Sequence, residues 1–218
     1  VDYASPLVSG TSGWRVDAAH FAERHGLVII IALGESLVAL GLSATEQDLT
    51  AGVVTAAALG VGVVCALWWL YFDVVAVVAE RRLASLTGRA QAAMARDSYS
   101  YLHLFMVFGI VLVALGLKKT LVDIGHPLPT IPDIALFGGV ALYLLAHVAF
   151  RWRNVRSLNV QRLVAAGVLL GLAPVGLHLP SLASLGLVTT VLVVLVGFEW
   201  LHFRVARHQI RHHSEEHA

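Results

Sequence analysis

Cysteine is nearly absent from this 218-residue chain, lysine occurs only at Lys118 and Lys119, and charged residues make up 13%. Cys65 alone closes no intrachain disulfide and builds no Cys-based zinc or iron–sulfur site. Neither Cys-x-x-Cys-His nor His-Glu-x-x-His is present, so no cofactor or metal centre is expected. A phosphate loop and a nucleophile elbow are missing as well, which leaves enzyme chemistry without a sequence anchor. The two-residue alternation of a membrane β-barrel is absent. Val1 to Ala19 lacks an apolar core, so no cleavable signal peptide is read there. What fills the chain is apolar: 58% of residues are hydrophobic and the mean hydropathy is +0.78. That excess rules out a soluble domain of ordinary make-up and names the lipid bilayer as first partner.

Six stretches approach or exceed the roughly 20 apolar residues that cross a bilayer: 20–42, 52–79, 97–121, 133–151, 160–178 and 183–206. The expected fold is all-α, a bundle of six transmembrane helices over 20–206. An interfacial segment, 1–19, precedes it and a His-rich tail, 207–218, follows. Connections are short, so no separate soluble domain is expected.

Arginine placement orients the bundle. Arg15 and Arg24 precede or open the first span. Arg81, Arg82, Arg89 and Arg96 lie in the second connection, Arg151, Arg153, Arg156 and Arg162 in the fourth, and Arg204, Arg207 and Arg211 after the sixth. All fall on one side of an even-numbered bundle, and the two lysines fall on the other. Both termini are therefore expected to be cytoplasmic. A net charge of +1 gives no reason to invoke nucleic acid.

Glu35, midway along Leu27 to Leu42, is the costliest residue in the chain: a charge at bilayer depth costs about 2.5 to 3.5 kcal/mol on insertion scales. It needs a partner, a proton or water. Ala32, Ser36, Ala39 and Ser43 form a small-residue stripe suited to close helix contact, and Glu35 flanks it, so Glu35 is expected to face protein. Gly62, Ala66, Trp69 and Asp73 point Asp73 inward by the same spacing. Gly167, Gly171, Pro174 and His178 predict a close contact along the fifth span. With Glu199 on the sixth, three carboxylates on three helices form an expected polar cluster on the cytoplasmic side, Glu35 deepest. Its companions are His103, four residues after Tyr99; His147, four after Tyr143; and His202, three after Glu199. Carboxylates and imidazoles that share a cavity can relay protons. The bland reading makes each His a hydrogen-bonded structural residue and pairs Glu35 with Arg24. Trp68, Trp69, Tyr71, Phe72, Trp200 and Phe203 fit an interfacial aromatic belt. His208, His212, His213 and His217 of the tail read as a solvated end rather than a zinc site.

These residues carry a resemblance. The segment His20 to Gly41, HFAERHGLVIIIALGESLVALG, resembles the bacterial low temperature requirement A (LtrA) family, as do LWWLYFD at Leu67 to Asp73 and the stretch containing His103. Motif positions are His20, Glu23, Arg24, Gly34, Glu35, Ser36, Trp69, Asp73 and His103. The resemblance implies a helix-bundle protein of the bacterial cytoplasmic membrane associated with growth in the cold, and the six helices resemble its C-terminal half. A preceding helical half or a homo-oligomer is the implied partner.

The leading functional expectation is a transporter or channel-like protein for a small ion or molecule, proton coupling included, with Glu35, Ser36, Asp73, His103, His147, Glu199 and His202 along its path. A non-catalytic scaffold or stress-related sensor is the alternative. A membrane enzyme acting on lipid headgroups through His20, Glu23 and His25, with Arg24 holding phosphate, ranks third.

Overall fold

Side-chain oxygens start several of the helices. In the computed structural model, which describes residues 17–202, the Asp17 carboxylate accepts from the His20 N–H at 3.1 Å and opens α1, Ala18–Thr45. Thr50 opens α2, Ala51–Phe72, by accepting from Val53. Each such cap satisfies one of the N–H groups that a helix start leaves unpaired. Then follow α3, Val75–Ala84, and α4, Gly88–Met94. A π-helical segment, Ala95–Leu102, leads directly into α5, His103–Val122. Next is α6, Thr130–Val155, which Arg156 ends in the left-handed conformation at φ 55°. Asn159 caps α7, Val160–Gly176, and α8 is Ser181–His202.

Among the described residues there is no strand, so the all-α class stands. Among the described residues five helical stretches are long and apolar enough to cross a membrane, and α7, with 17 residues and Pro174 inside it, is a shorter apolar sixth. This is the architecture of a multi-pass membrane protein. The second stretch departs from the continuous helix expected over 52–79: it turns at Asp73 and Val74 between α2 and α3. Asp and the β-branched pair Val74–Val75 are among the weaker helix formers. The tail at 207–218, with its four histidines, lies outside the described residues, as do residues 1–16.

These helices close a ring in which α1 packs on α5, α5 on α6, α6 on α7, α7 on α8, α8 on α2 and α2 on α1. α6 is the innermost, with 72% of its apolar window buried. Its tightest neighbour is α5, where a Cβ on Gly109 would lie 2.8 Å from the Gly139 carbonyl oxygen and one on Gly139 2.9 Å from that of Gly109. Only glycine admits that approach, which is how small residues drive helix association in lipid. The lysine-side loops are tied by the Ser181 N–H, which donates to the His126 carbonyl at 2.9 Å, and by the Ser181 hydroxyl, which donates to the Asp123 carbonyl.

Candidate functional site

Two Tyr–His pairs four residues apart, Tyr99 with His103 and Tyr143 with His147, place their rings on the inner faces of neighbouring chain segments. All four side chains are buried. The π-helical turn helps shape the first pair: the His103 Nδ1–H donates to the carbonyl of Ser98, five residues back, at 3.1 Å, and the two rings stack at 5.2 Å and 9°. Such wide turns recur at functional positions. With Nδ1 committed as a donor to a carbonyl, Nε2 of the neutral ring is an acceptor. The Tyr71 hydroxyl, from the end of α2, donates to it at 2.8 Å.

His147 repeats the arrangement with one difference. Its Nδ1–H donates to the Tyr143 carbonyl at 2.9 Å, and its Nε2 has no partner among the described residues. Tyr143 donates its hydroxyl to the Leu67 carbonyl at 2.8 Å. Tyr71 lies between the two histidines, its ring 5.6 Å from that of His103 and 6.0 Å from that of His147. Outward from His103, the His25 ring stands 5.2 Å away and donates from Nδ1 to the Phe21 carbonyl. The Tyr99 hydroxyl, on a residue only 1% exposed, also lacks a partner among the described residues. A chain of alternating imidazoles and phenols thus runs His25–Tyr99–His103–Tyr71–His147–Tyr143. It holds an unpaired donor near one end and an unpaired acceptor near the other, both of which are costly to bury dry.

A cavity of about 270 Å³ reaches this chain from the arginine-rich end, lined by Glu23, Gly26, Tyr71, Phe72, Glu80 and Tyr99 among others. Gly26 lies against the Phe72 ring, where a Cβ would stand at an ordinary contact distance of 3.6 Å. In the opposite direction the core is aliphatic, with Met106, Ile110, Val113, Val63 and Val140 all buried.

The carboxylates do not join this chain as expected. Glu35 is exposed on the outside of the bundle. The small-residue stripe beside it is turned inward, with Ser36 and Ser43 buried and each donating to its own helix four residues back. Glu35 sits two residues beyond buried Leu33, about 200° around the helix. That puts it on the opposite stripe with Ile31 and Leu42, which are 69% and 62% exposed. Asp73 is half-buried at the α2 end, its N–H closing that helix onto the Trp69 carbonyl at 3.0 Å. Glu199 is buried and held by Arg162, whose Nε and Nη2 donate to Oε1 and Oε2 at 2.8 Å each; Asn159 Nδ2 adds a third contact at 3.4 Å. His202 is exposed and stacks on Phe198. His20, Glu23 and Arg24 are exposed at the start of α1, with His20 Nδ1 3.8 Å from the Glu23 carboxylate. Among the described residues no three His, Cys, Asp or Glu side chains are grouped to hold a metal ion.

Two further expectations change. Tyr71, assigned to an interfacial belt, is 1% exposed and central, while Trp68 and Trp200 do face outward. The stripe of Gly167, Gly171, Pro174 and His178 is exposed rather than in contact; α7 buries Arg162, Ala165, Ala166 and Leu169 instead. Sequence reasoning also passed over Asp133, fully buried in the first turn of α6, whose carboxylate oxygens have no hydrogen-bond partner among the described residues. No pattern in the sequence marks it; in the fold Gly176 packs against it, where a Cβ would collide with that carboxylate.

The family model described as bacterial low temperature requirement A protein (LtrA) matches residues 1–197. An uncharacterised protein of Rhizobium meliloti (strain 1021) is 26% identical over 213 residues, covering 95% of this chain and 51% of the relative. The chain therefore spans about half the length of the curated relative it matches. No solved structure matches it.

Proposed function

The chain belongs to the bacterial low temperature requirement A family, and from that premise we propose that it is a transporter or channel-like protein of the bacterial cytoplasmic membrane whose pathway relays protons through the tyrosine–histidine chain. The observation that carries the reading is the hydrogen bond from Tyr71 to Nε2 of His103, 2.8 Å long, in a buried chain adjoining a cavity. Imidazole can take a proton on one ring nitrogen and release it from the other, and a phenol hydroxyl can donate its proton while accepting another at the same oxygen. A polar chain inside an apolar bundle costs stability and is by default a functional feature of membrane proteins. The arginine-rich end faces the cytoplasm in this reading, by the positive-inside rule. The cavity then opens inward and the aliphatic half is the closed gate. His103 and His147 carry the proton, Asp73 stands near the entrance, and Glu199 fixes α7 to α8.

The test is proton flux in liposomes carrying a pH-sensitive dye. Wild-type protein is expected to exceed empty-liposome leak, and His103→Ala is expected to return flux to that leak. Equal flux in the two proteins removes the chain from the mechanism.

A scaffold role is the second reading, favoured by the outward placement of Glu35. A carboxylate on that face is accommodated when another helix covers it, and the relative carries about as many residues again beyond the matched part. In that reading Glu35→Leu abolishes assembly with the covering unit and leaves this bundle folded. Unchanged assembly in crosslinking experiments contradicts it.

A further inference from the structure

We propose that the cavity beside the tyrosine–histidine chain is a binding site for an alkylammonium group. The proposal rests on the transport reading only in naming the substrate class; the binding itself is independent of proton movement. Four observations converge on it. Glu23 and Glu80, both exposed, stand in the lining, which includes no lysine or arginine, so its charge selects a cation. Three aromatic rings, Tyr71, Phe72 and Tyr99, form the wall behind them. Tyr71 and Phe72 meet edge to face at 4.7 Å and 72°, and because Tyr71 and Tyr99 are each 1% exposed, the half-buried Phe72 ring is the aromatic surface the cavity offers a cation. The Tyr99 hydroxyl, on a 1%-exposed residue of the lining, is without a partner among the described residues.

The remaining lining is apolar: Ala22, Gly26, Leu27, Ile30 and Ala76. A bare divalent ion prefers six or more oxygens, which two carboxylates and two phenols with apolar neighbours supply poorly. A methylated or primary ammonium fits better, because its charge is spread over a surface that aromatic faces and aliphatic groups accept. The volume of about 270 Å³ lies at the small end of ligand pockets. Leu27 and Ile30 are half exposed on the outside of α1, so the cavity is open to the bilayer interface as well as to water. The ammonium group could thus arrive on a soluble amine or on a lipid headgroup.

The experiment measures equilibrium binding of radiolabelled tetramethylammonium to the full chain in nanodiscs of phosphatidylglycerol alone. Saturable binding is expected, weakened about tenfold by Glu80→Gln and by Phe72→Leu and unchanged by Glu46→Gln at the other end of α1. Thermal midpoints of the variants establish that they are folded. A second arm adds phosphatidylcholine to the nanodiscs: competition identifies the lipid headgroup as the source, and undiminished binding identifies a soluble amine. Lack of saturable binding, or binding indifferent to both Glu80→Gln and Phe72→Leu, overturns the proposal. Proton flux measured on the same preparations separates that outcome from failure of the transport reading.

Discussion

Removing the Arg162 guanidinium leaves a carboxylate with two missing donors inside the α7–α8 contact. The ion pair is bidentate at 2.8 Å, and its side chains are 6% and 8% exposed. Breaking a buried pair from one side costs about 3 to 5 kcal/mol, because the surviving charge stays desolvated. Arg162→Met alone and Glu199→Leu alone should each fall in that range; 3 kcal/mol is about a 150-fold change in the folded-to-unfolded ratio. Replacing both at once removes the charges together and puts apolar volume in their place. Such double replacements are often neutral or stabilising, so Arg162→Met/Glu199→Leu should lie within about 1 kcal/mol of wild type. The assay is reversible unfolding in mixed micelles with a rising fraction of denaturing detergent, followed by far-ultraviolet circular dichroism. A double variant that loses the sum of the single losses would refute the reasoning, since the two groups would then act independently. Single variants within 1 kcal/mol of wild type would refute it too, because the pair would then be hydrated.

Gly139→Ala and Gly109→Ala each force a methyl group to within 3 Å of facing backbone and should destabilise the bundle by about 1 to 3 kcal/mol. Gly167→Ala, with open space around it, should be neutral or gain up to about 1 kcal/mol in helix propensity; thermal midpoints in detergent distinguish the two classes. Cys65 is exposed on the bundle's exterior within α2. A membrane-permeant apolar maleimide should label it in vesicles while a charged one does not, and equal labelling by both would place that face of α2 in water.

How much of this was legible in the residues follows from what each signal encodes. Apolar length alone identified the helices, since a chain in lipid must satisfy its backbone internally. Spacing of four identified the Tyr99–His103 and Tyr143–His147 pairs, because residues i and i+4 share a helix face. The same spacing misplaced Glu35. A place four residues before Ala39 points it inward, yet the α1 core runs through Leu33, Ser36, Leu40 and Ser43, and Glu35 falls outside that arc. Gly167 and Gly171 misled for a related reason: glycine permits a close contact without requiring one. Arg162 is one of many arginines on one side in the sequence, and a count cannot tell which of them turns inward to meet Glu199. The π-helical turn that aims His103 at the Ser98 carbonyl has no sequence signature as plain as a proline or a glycine. Composition alone places Tyr71 in the interfacial belt, whereas it continues the buried stripe of Val64 and Leu67 at intervals of three and four, which turns it into the core.

The central claim is that protons cross the polar half of the bundle by way of a hydroxyl bonded to an imidazole. Tyr71→Phe deletes that one O–H and keeps the ring that packs between His103 and His147. Its most direct measurement is proton flux of Tyr71→Phe against wild type in the same liposomes, at matched protein and unchanged thermal midpoint. The account predicts a fall of at least about tenfold, as for loss of a positioned proton-transfer group. Flux equal to wild type from a folded Tyr71→Phe protein would contradict it.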